Sequence, residues 1–353
     1  MRIFQRFIST TRAMTLVGTT IVSALVWAPQ YAQAQGGADV INFREEMRIW
    51  VETISDNARS FNPNFMIVVE DGLPLISKPD PQDDTQLFPA RGYISAIDGV
   101  LQHDLIKFLE PLKRPDDAPK EDPAITEARE RMTMDAETAE IMGVGVLNLE
   151  YAKDAKTIDG FYRSSDKRGF SAYVAQSKLL GRIPKYPKYA VHANPKSLDK
   201  ISQAKNFIYI AHSQGFGTST DFVQALSMTN YDVVITSVFH GRNPLTPQEV
   251  NRLKYKKLGA RRLVLAEMDI SSAATYHYYW QPDWEIGKPE FISVPHRTDP
   301  DRYRTQYWKP DWQAVIAGDT SSYLYGILAQ GFDGVVLKGT DAWRYFEGDQ
   351  EDQ

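Results

Sequence analysis

Short apolar runs alternate with longer helix-like stretches along most of the chain. The apolar runs predict eight β-strands, at residues 65–69, 97–101, 144–149, 170–174, 207–211, 232–235, 262–268 and 334–337. These runs lack the alternation of polar and apolar positions that marks a half-exposed strand, so they are typical of strands buried on both faces. Strands that alternate with helices predict a parallel α/β fold.

Three stretches between the strands carry clear helix signals. Residues 43–60 place apolar side chains at helical spacing and predict an amphipathic helix. Residues 246–258 open on a Thr-Pro start signal and end before Gly259, which suits a left-handed helix cap. Residues 312–330 predict one further helix. Eight strand–helix units in a chain of 353 residues favour a closed (β/α)8 barrel over an open sheet.

The N-terminal segment predicts export. A leader with three arginines precedes an apolar run at residues 14–29, and Ala32 and Ala34 then form a small-x-small cleavage site. We expect residues 1–34 to be a signal peptide cleaved near Ala34, which leaves a periplasmic or extracellular protein. A membrane anchor is the alternative, but an anchor needs roughly 20 apolar residues. We expect no membrane span after this segment.

Composition narrows the function further. The chain has 40 basic and 45 acidic residues and a formal net charge of −5, which argues against a nucleic-acid partner. It contains no cysteine, so disulfides and thiolate metal sites are excluded. Aromatic residues make up 12% of the chain. Such rings serve either as platforms for sugars or as ordinary core and surface residues.

One half of the chain resembles a known enzyme family. Residues 331–346 (GFDGVVLKGTDAWRYF) resemble the signature of the endo-α-1,4-polygalactosaminidase-like barrels of glycoside hydrolase family 114. Residues 303–316 are similar to that family's Tyr-Trp and Pro-x-Trp-Gln stretch, and residues 263–280 to its third strand. Residues 206–210 and 231–235 match its first and second strands.

The other half of the family pattern lies towards the N-terminus. Residues 44–75, 96–105, 145–152 and 169–175 resemble the family's fifth, sixth, seventh and eighth units. The resemblance therefore implies a circularly permuted TIM barrel. A single barrel would span residues 35–347, with units five to eight at 40–183 and units one to four at 205–347, followed by an acidic tail at 348–353. A closed barrel tolerates permutation because its termini and old junction lie at the surface.

The resemblance implies an endo-acting glycosidase whose partner is a polysaccharide, with galactosamine as the implied sugar. Glycoside hydrolysis usually needs two carboxylates. The family's strand-end acids fall on Lys338, Ser272, Ala274 and Thr236, so the resemblance also implies a degenerate site. Two alternatives remain open: a non-catalytic barrel that binds such a polymer, and an interaction protein in an export or cell-surface assembly.

Acids near other strand ends could replace the missing pair, because a TIM barrel builds its active site there. The catalytic candidates are Glu150, Glu70 and Asp71. The candidates for substrate binding are His103, Asp104, Tyr151, Lys338, Asp341, Trp343 and Asp269. Two of these acids have an alternative, structural role. Glu150 could form an ion pair with Lys338, and Asp341 could cap the next helix.

Two further expectations concern aromatic rings and cofactors. We expect one of Trp280, Trp284, Trp308 and Trp343 to line the cleft as a platform for sugar. We expect no metal and no other cofactor, because His103, His240 and His277 come from different units and have no short ligand spacing.

Overall fold

The computed structural model describes residues 41–83, 86–111, 121–297 and 299–348. Its central strands are β1 (Met66–Glu70), β2 (Gly99–His103), β3 (Gly145–Tyr151), β4 (Ser171–Ala175), β5 (Phe207–Ile210), β6 (Val233–Thr236), β7 (Leu263–Asp269) and β8 (Gly334–Lys338). Each overlaps one of the eight apolar runs, so the predicted strands are confirmed. The predicted signal peptide at residues 1–34 and residues 349–353 of the acidic tail lie outside the described residues.

These eight strands form one parallel sheet in chain order. β1 pairs with β2 on one side and with β8 on the other. β4 and β5 meet through a single parallel bridge between Ala172 and Asn206. The sheet is therefore a nearly closed barrel of the TIM type, and the predicted α/β barrel fold is confirmed.

The helices lie outside the strands and join most of them. They are α1 (Phe43–Phe61), α2 (Arg91–Ala96), α3 (Leu105–Leu109), α4 (Pro123–Ile141), α5 (Ala155–Lys167), α6 (Ser219–Ser227), α7 (Pro247–Leu253), α8 (Pro310–Ala317), α9 (Tyr323–Gln330) and α10 (Trp343–Phe346). α1 confirms the predicted helix at residues 43–60. It precedes β1 and packs against α2, α8, α9 and α10. Between β4 and β5, the described segment 176–200 contains no helix.

Two predicted helices are wrong in length. The helix expected at residues 312–330 is divided into α8 and α9. Asp319 forms the break, because its carboxylate accepts the backbone N–H of Ser321 at 2.7 Å, and Ser322 then caps the new helix. α7 ends at Leu253 rather than at Leu258. In the first case local turn chemistry ends a helix that the sequence pattern would have continued.

Short antiparallel strands decorate the barrel. Two pairs are Ser77–Pro79 with Leu87–Pro89, and Phe239–His240 with Asn243–Pro244. A third group follows β7 and consists of Ser272–Ala274, Ile292–Pro295 and Arg302–Thr305. This group, together with the residues between its strands, is called the β7 insert below. Because it leaves the carboxyl end of β7, it stands at the end of the barrel where TIM barrels place their active sites.

Apolar side chains of the strands fill the barrel wall, and those of β5 and β6, for example, are buried throughout. Described residues from Ile41 onward belong to one compact unit. Within the described part of the chain, no helix combines the length and the apolar character needed to cross a membrane.

Candidate active site

A cleft of about 530 Å³ opens at the carboxyl ends of β1, β2, β3, β7 and β8. Eight of the ten predicted site residues line it: Glu70, Asp71, His103, Asp104, Tyr151, Asp269, Lys338 and Asp341. They come from several strand ends that are far apart in sequence and meet only in the closed barrel. Glu150 and Trp343 do not line this cleft.

A chain of hydrogen-bonding groups crosses the ends of the first three strands. Glu70 Oε1 lies 2.8 Å from His103 Nε2, and His103 Nδ1 lies 3.2 Å from the Tyr151 hydroxyl. The other oxygen of Glu70, Oε2, is buried and has no hydrogen-bond partner among the described residues. The hydroxyl of Thr340 donates to the backbone carbonyl of Glu70 and so ties the end of β1 to the loop after β8.

Asp71 follows Glu70 directly but has different partners. Its backbone is left-handed, with φ of 52°, which turns the chain out of β1. Its Oδ1 accepts a hydrogen bond from Gln102 Nε2 at 2.7 Å and one from the backbone N–H of His103 at 3.1 Å. Both donors are neutral groups, so among the described residues Asp71, unlike Glu70, accepts no hydrogen bond from an imidazole.

The protonation of the two carboxyls differs accordingly. Burial acts to raise the pKa of Glu70, but the hydrogen bond from His103 and the charge of Lys338 outweigh it, and the pKa is lowered. Burial raises the pKa of Asp71 to about 6, against the opposing charge of His103. Burial acts to lower the pKa of His103, but Glu70 and Asp71 together raise it. Neighbouring groups with unlike protonation are a common feature of catalytic sites.

The opposite wall of the cleft comes from β7 and the β7 insert. Asp269 accepts the backbone N–H groups of Ser271 at 3.0 Å and Ser272 at 2.9 Å, and Arg302 Nη1 lies 3.2 Å from its second oxygen. These contacts direct both of its carboxylate oxygens at the insert. Asp269 lines the cleft, but its contacts give it the role of fixing the first turn of the insert.

Lys338 lines the cleft and contacts polar groups in the barrel interior. Its ammonium lies 3.4 Å from Glu267 Oε2, and the same oxygen accepts the hydroxyl proton of Tyr209 at 2.7 Å. β5 and β7 are separated by β6, so these side chains meet across the barrel interior. Lys338 thus pairs with Glu267, and the alternative ion pair between Lys338 and Glu150 is wrong.

Asp104 and Asp341 also line the cleft. Asp104 is left-handed, with φ of 49°, and its Oδ1 lies 3.7 Å from Lys107 Nζ. Burial raises the pKa of Asp341, and the charges of Glu70 and Asp269 add to that effect. The N-cap of α10 is Ala342 rather than Asp341, so the capping role expected for Asp341 is wrong.

Glu150 is buried on the outer side of the barrel wall. Its neighbour Tyr151 lines the cleft, and successive residues of a strand point to opposite faces. Glu150 Oε1 instead accepts the backbone N–H groups of Ile106 at 2.6 Å and Lys107 at 3.3 Å, at the start of α3. Burial raises the pKa of Glu150 to about 7, although both backbone hydrogen bonds oppose the shift. This catalytic candidate therefore caps a helix outside the cleft.

The expected tryptophan platform is wrong for this cleft. The described lining contains none of the four candidates, and Tyr151 is its aromatic member. Trp343 is buried, and the guanidinium of Arg44 lies 3.9 Å from its ring centre. Trp308 packs against Phe43 and Phe346. Trp280 and Trp284 pack against each other within the β7 insert.

The sequence interpretation missed several basic residues of the cleft. Arg302, Arg304 and His296 come from the β7 insert, and Lys178 from the segment after β4. Arg302 and Arg304 alternate with Tyr303 along one short strand, so period-two spacing was the available signal. That strand was not predicted because its sequence, Arg-Tyr-Arg-Thr, contains no apolar run.

The three histidines considered as metal ligands do not meet. His240 contacts Ser213 and the carbonyl of Gly217, and His277 stacks on Tyr279. His103 instead lies beside two carboxylates: one ligand atom each from Glu70, Asp71 and His103 lie within 4.8 Å of one another. The expectation of no metal considered spacing between histidines alone, and these three residues could hold a cation.

Comparison with known proteins leaves the family open. No family model matches the chain. A Deinococcus radiodurans protein described as uncharacterized is 27% identical over 130 residues, which cover 37% of this chain and 39% of that protein. The match thus spans less than half the length of this relative.

Solved structures give distant matches. Tryptophan synthase from M. tuberculosis, in a ligand-free form, aligns with a TM-score of 0.32 and 13% identity, over 85% of this chain and 96% of that chain. The Bacillus cereus spore cortex-lytic enzyme aligns with a TM-score of 0.33 and 9% identity, over 81% of this chain and 74% of the enzyme. At these scores the matches carry no argument about function.

Proposed function

We propose that this protein is an exported carbohydrate-active barrel that hydrolyses a polysaccharide in the cleft at the ends of its strands. The observation that carries the proposal is the pair Glu70 and Asp71: two carboxylates at the end of one strand, in one cleft, with unlike partners. Glycoside hydrolysis usually uses two carboxylates in unlike roles, about 5–5.5 Å apart in retaining enzymes. One carboxylate oxygen each of Glu70 and Asp71 lie within 4.8 Å of each other, which is closest to the retaining spacing. Glu70, beside His103 and Lys338, is suited to act as nucleophile or base. Asp71, with neutral donors, is suited to give the proton.

The resemblance to the polygalactosaminidase-like barrels supports this class of reaction, with an amino-sugar polymer as substrate. A permuted order of units fits with α1, which precedes β1 and packs beside the last helices. It also fits with residues 184–200, which lie between β4 and β5, form no helix and would be the new connector. Export of the protein, which rests on residues 1–34, is part of the proposal.

A second candidate is a barrel that binds the polymer and has lost the reaction. Lys338 favours it, because the family's strand-end acid falls on this residue, and an ammonium cannot act as a glycosidase nucleophile. The pairing of Lys338 with Glu267 fills that strand end with a stable ionic contact.

The test is release of reducing ends by the purified protein from partially deacetylated galactosamine polymers. Asp71→Asn is the test variant. His192→Gln is the control, because His192 forms an ion pair with Asp166 at 2.9 Å and is not among the cleft-lining residues. We expect release by the wild-type protein and the control, and loss in Asp71→Asn.

Each other result selects or removes a candidate. Polymer retained by all three proteins without release of reducing ends would favour the binding barrel. Release that survives Asp71→Asn would remove Asp71 from the chemistry. Neither release nor retention would contradict both candidates.

A further inference from the structure

We propose that Glu70, Asp71 and His103 form a binding site for one divalent transition-metal ion, with Zn²⁺ and Mn²⁺ as the cations that suit it. The inference does not rest on the hydrolysis proposed above, since metal binding is measured without a substrate. It rests on the geometry of three donor groups at the ends of two adjacent strands, β1 and β2.

The first observation is convergence. One ligand atom from each of the three side chains lies within 4.8 Å of the other two. Glu70 Oε1 and His103 Nε2 lie 2.8 Å apart, so one ion could contact both atoms once the proton between them is lost. A zinc ion bound by three protein groups keeps its fourth position open to water or substrate, and a site on the cleft wall meets that condition.

The second observation is an oxygen without a partner. Glu70 Oε2 is buried and accepts no hydrogen bond from the described residues. A simple ion pair between Glu70 and His103 leaves this buried acceptor unsatisfied, although buried polar atoms in proteins almost always have a partner. A cation shared with Asp71 would satisfy it. The ion pair alone therefore leaves one oxygen of this cluster without a partner among the described residues.

The surroundings resemble a second coordination shell. A metal-bound histidine normally donates its other ring N–H to a neighbouring acceptor, and the Tyr151 oxygen lies 3.2 Å from His103 Nδ1. Gln102 Nε2 holds Asp71 Oδ1 at 2.7 Å. The nearby ammonium of Lys338 contacts Glu267 rather than one of the three donors, at 3.4 Å.

One imidazole nitrogen and two carboxylate oxygens define the class of ion. Imidazole suits zinc and other late transition metals, whereas carboxylates suit Mn²⁺, Mg²⁺ and Ca²⁺. The mixed set therefore favours Zn²⁺ or Mn²⁺ over Ca²⁺. A bound ion would occupy Glu70 and Asp71, so the hydrolysis proposed above is tested on chelator-treated protein, and the metal site by adding Zn²⁺ or Mn²⁺ to that same protein.

Isothermal titration calorimetry of the chelator-treated protein with Zn²⁺ and with Mn²⁺ tests the proposal. We expect one equivalent to bind. His103→Gln and Asp71→Asn should each weaken binding by more than about 100-fold, and Tyr151→Phe by about tenfold, as for outer-shell partners elsewhere. His192→Gln is the matched control, because it removes a histidine–carboxylate pair on the surface and should leave the affinity unchanged.

Three results would overturn the metal site: no stoichiometric binding, binding that survives both ligand variants, or loss of binding in the His192→Gln control. Thermal unfolding followed by circular dichroism shows whether each variant folds. If His103→Gln does not fold, the affinity of Tyr151→Phe tests the proposal instead. This variant retains all three proposed metal ligands. Binding that Tyr151→Phe leaves unchanged would then contradict the proposed shell.

Discussion

Two glutamates at the ends of nearby strands, Glu70 on β1 and Glu150 on β3, lie in opposite environments. Glu70 points into the cleft, where His103 and Lys338 favour its ionised form. Glu150 points away from the cleft to the start of α3, where burial raises its pKa to about 7. Both are acids at strand ends, as the sequence predicts for a catalytic site. The face of the strand that each occupies decides whether it can reach a substrate.

The ends of barrel strands bear two sets of polar groups with different roles. Inward-facing groups of β1, β2, β7 and β8 form the cleft. Outward-facing groups meet the helices, and there a carboxylate serves as an acceptor for helix N–H groups, which lack partners within the helix. An acid at the end of a barrel strand is therefore a catalytic candidate only once its facing is known.

Replacing each of the two glutamates by glutamine should change the rate of hydrolysis very differently, and this is the largest difference that we expect. Glu70→Gln should lower the rate of reducing-end release by about 10²–10⁴-fold, the usual contribution of a positioned acid or base. Glu150→Gln should leave the rate within a few-fold, because its side chain does not reach the cleft. Initial rates on the galactosamine polymer, with both variants at matched concentration, check the prediction. A larger loss in Glu150→Gln than in Glu70→Gln would reverse the assignment.

The strands of the fold could be predicted from the sequence because the apolar pattern that specifies each of them lies within one short segment. Strands buried on both faces require continuous apolar runs, and all eight runs became strands of the barrel. The helix limits could not be predicted as well. Asp319 and Ser322 divide α8 from α9 through hydrogen bonds that have no apolar signature.

The candidate site could be predicted in part for the same reason. Strand ends identified the cleft acids, but Glu150 and Tyr151 were both assigned to the site although adjacent strand residues face opposite ways. Arg302 and Arg304 were missed because they belong to the β7 insert, whose short strands form only against each other. The meeting of Glu70, Asp71 and His103 depends on the register of β1 and β2, which no single segment contains.

Glu150 should also make the free energy of unfolding depend on pH, with an effect of intermediate size. The pKa of Glu150 is about 7 in the fold against an ordinary value of 4.5, so the folded state binds more protons than the unfolded state between these values. Its contribution is therefore fully present below about pH 4.5, falls as pH rises through 7, and stays low above it. The change in the free energy of unfolding is on the order of 3 kcal/mol, because a tenfold change in proton affinity corresponds to about 1.4 kcal/mol.

Glu150→Gln tests this dependence because the amide oxygen can still accept the N–H groups of Ile106 and Lys107 but does not titrate. Urea unfolding of the wild-type protein and the variant, from pH 4.5 to 8, gives the free energy of unfolding of each. We expect the variant to gain stability relative to the wild type as pH rises. If the free energies of unfolding of the two proteins changed with pH in parallel, Glu150 would not titrate in this range. Burial would then not raise its pKa.

A helix cap that does not titrate provides a comparison for the pH dependence expected of Glu150, and its effect should be the smallest. Asn42 caps α1, since its Oδ1 accepts the backbone N–H of Glu45 at 3.0 Å. Asn42→Ala should lower the free energy of unfolding by about 1 kcal/mol, the usual value for an N-cap. Because the amide carries no proton equilibrium, the same loss is expected at pH 4.5 and at pH 8. A loss that grows with pH would mean that helix capping itself is pH-dependent in this protein, and the slope assigned to Glu150 would then belong to the helices rather than to its buried carboxyl.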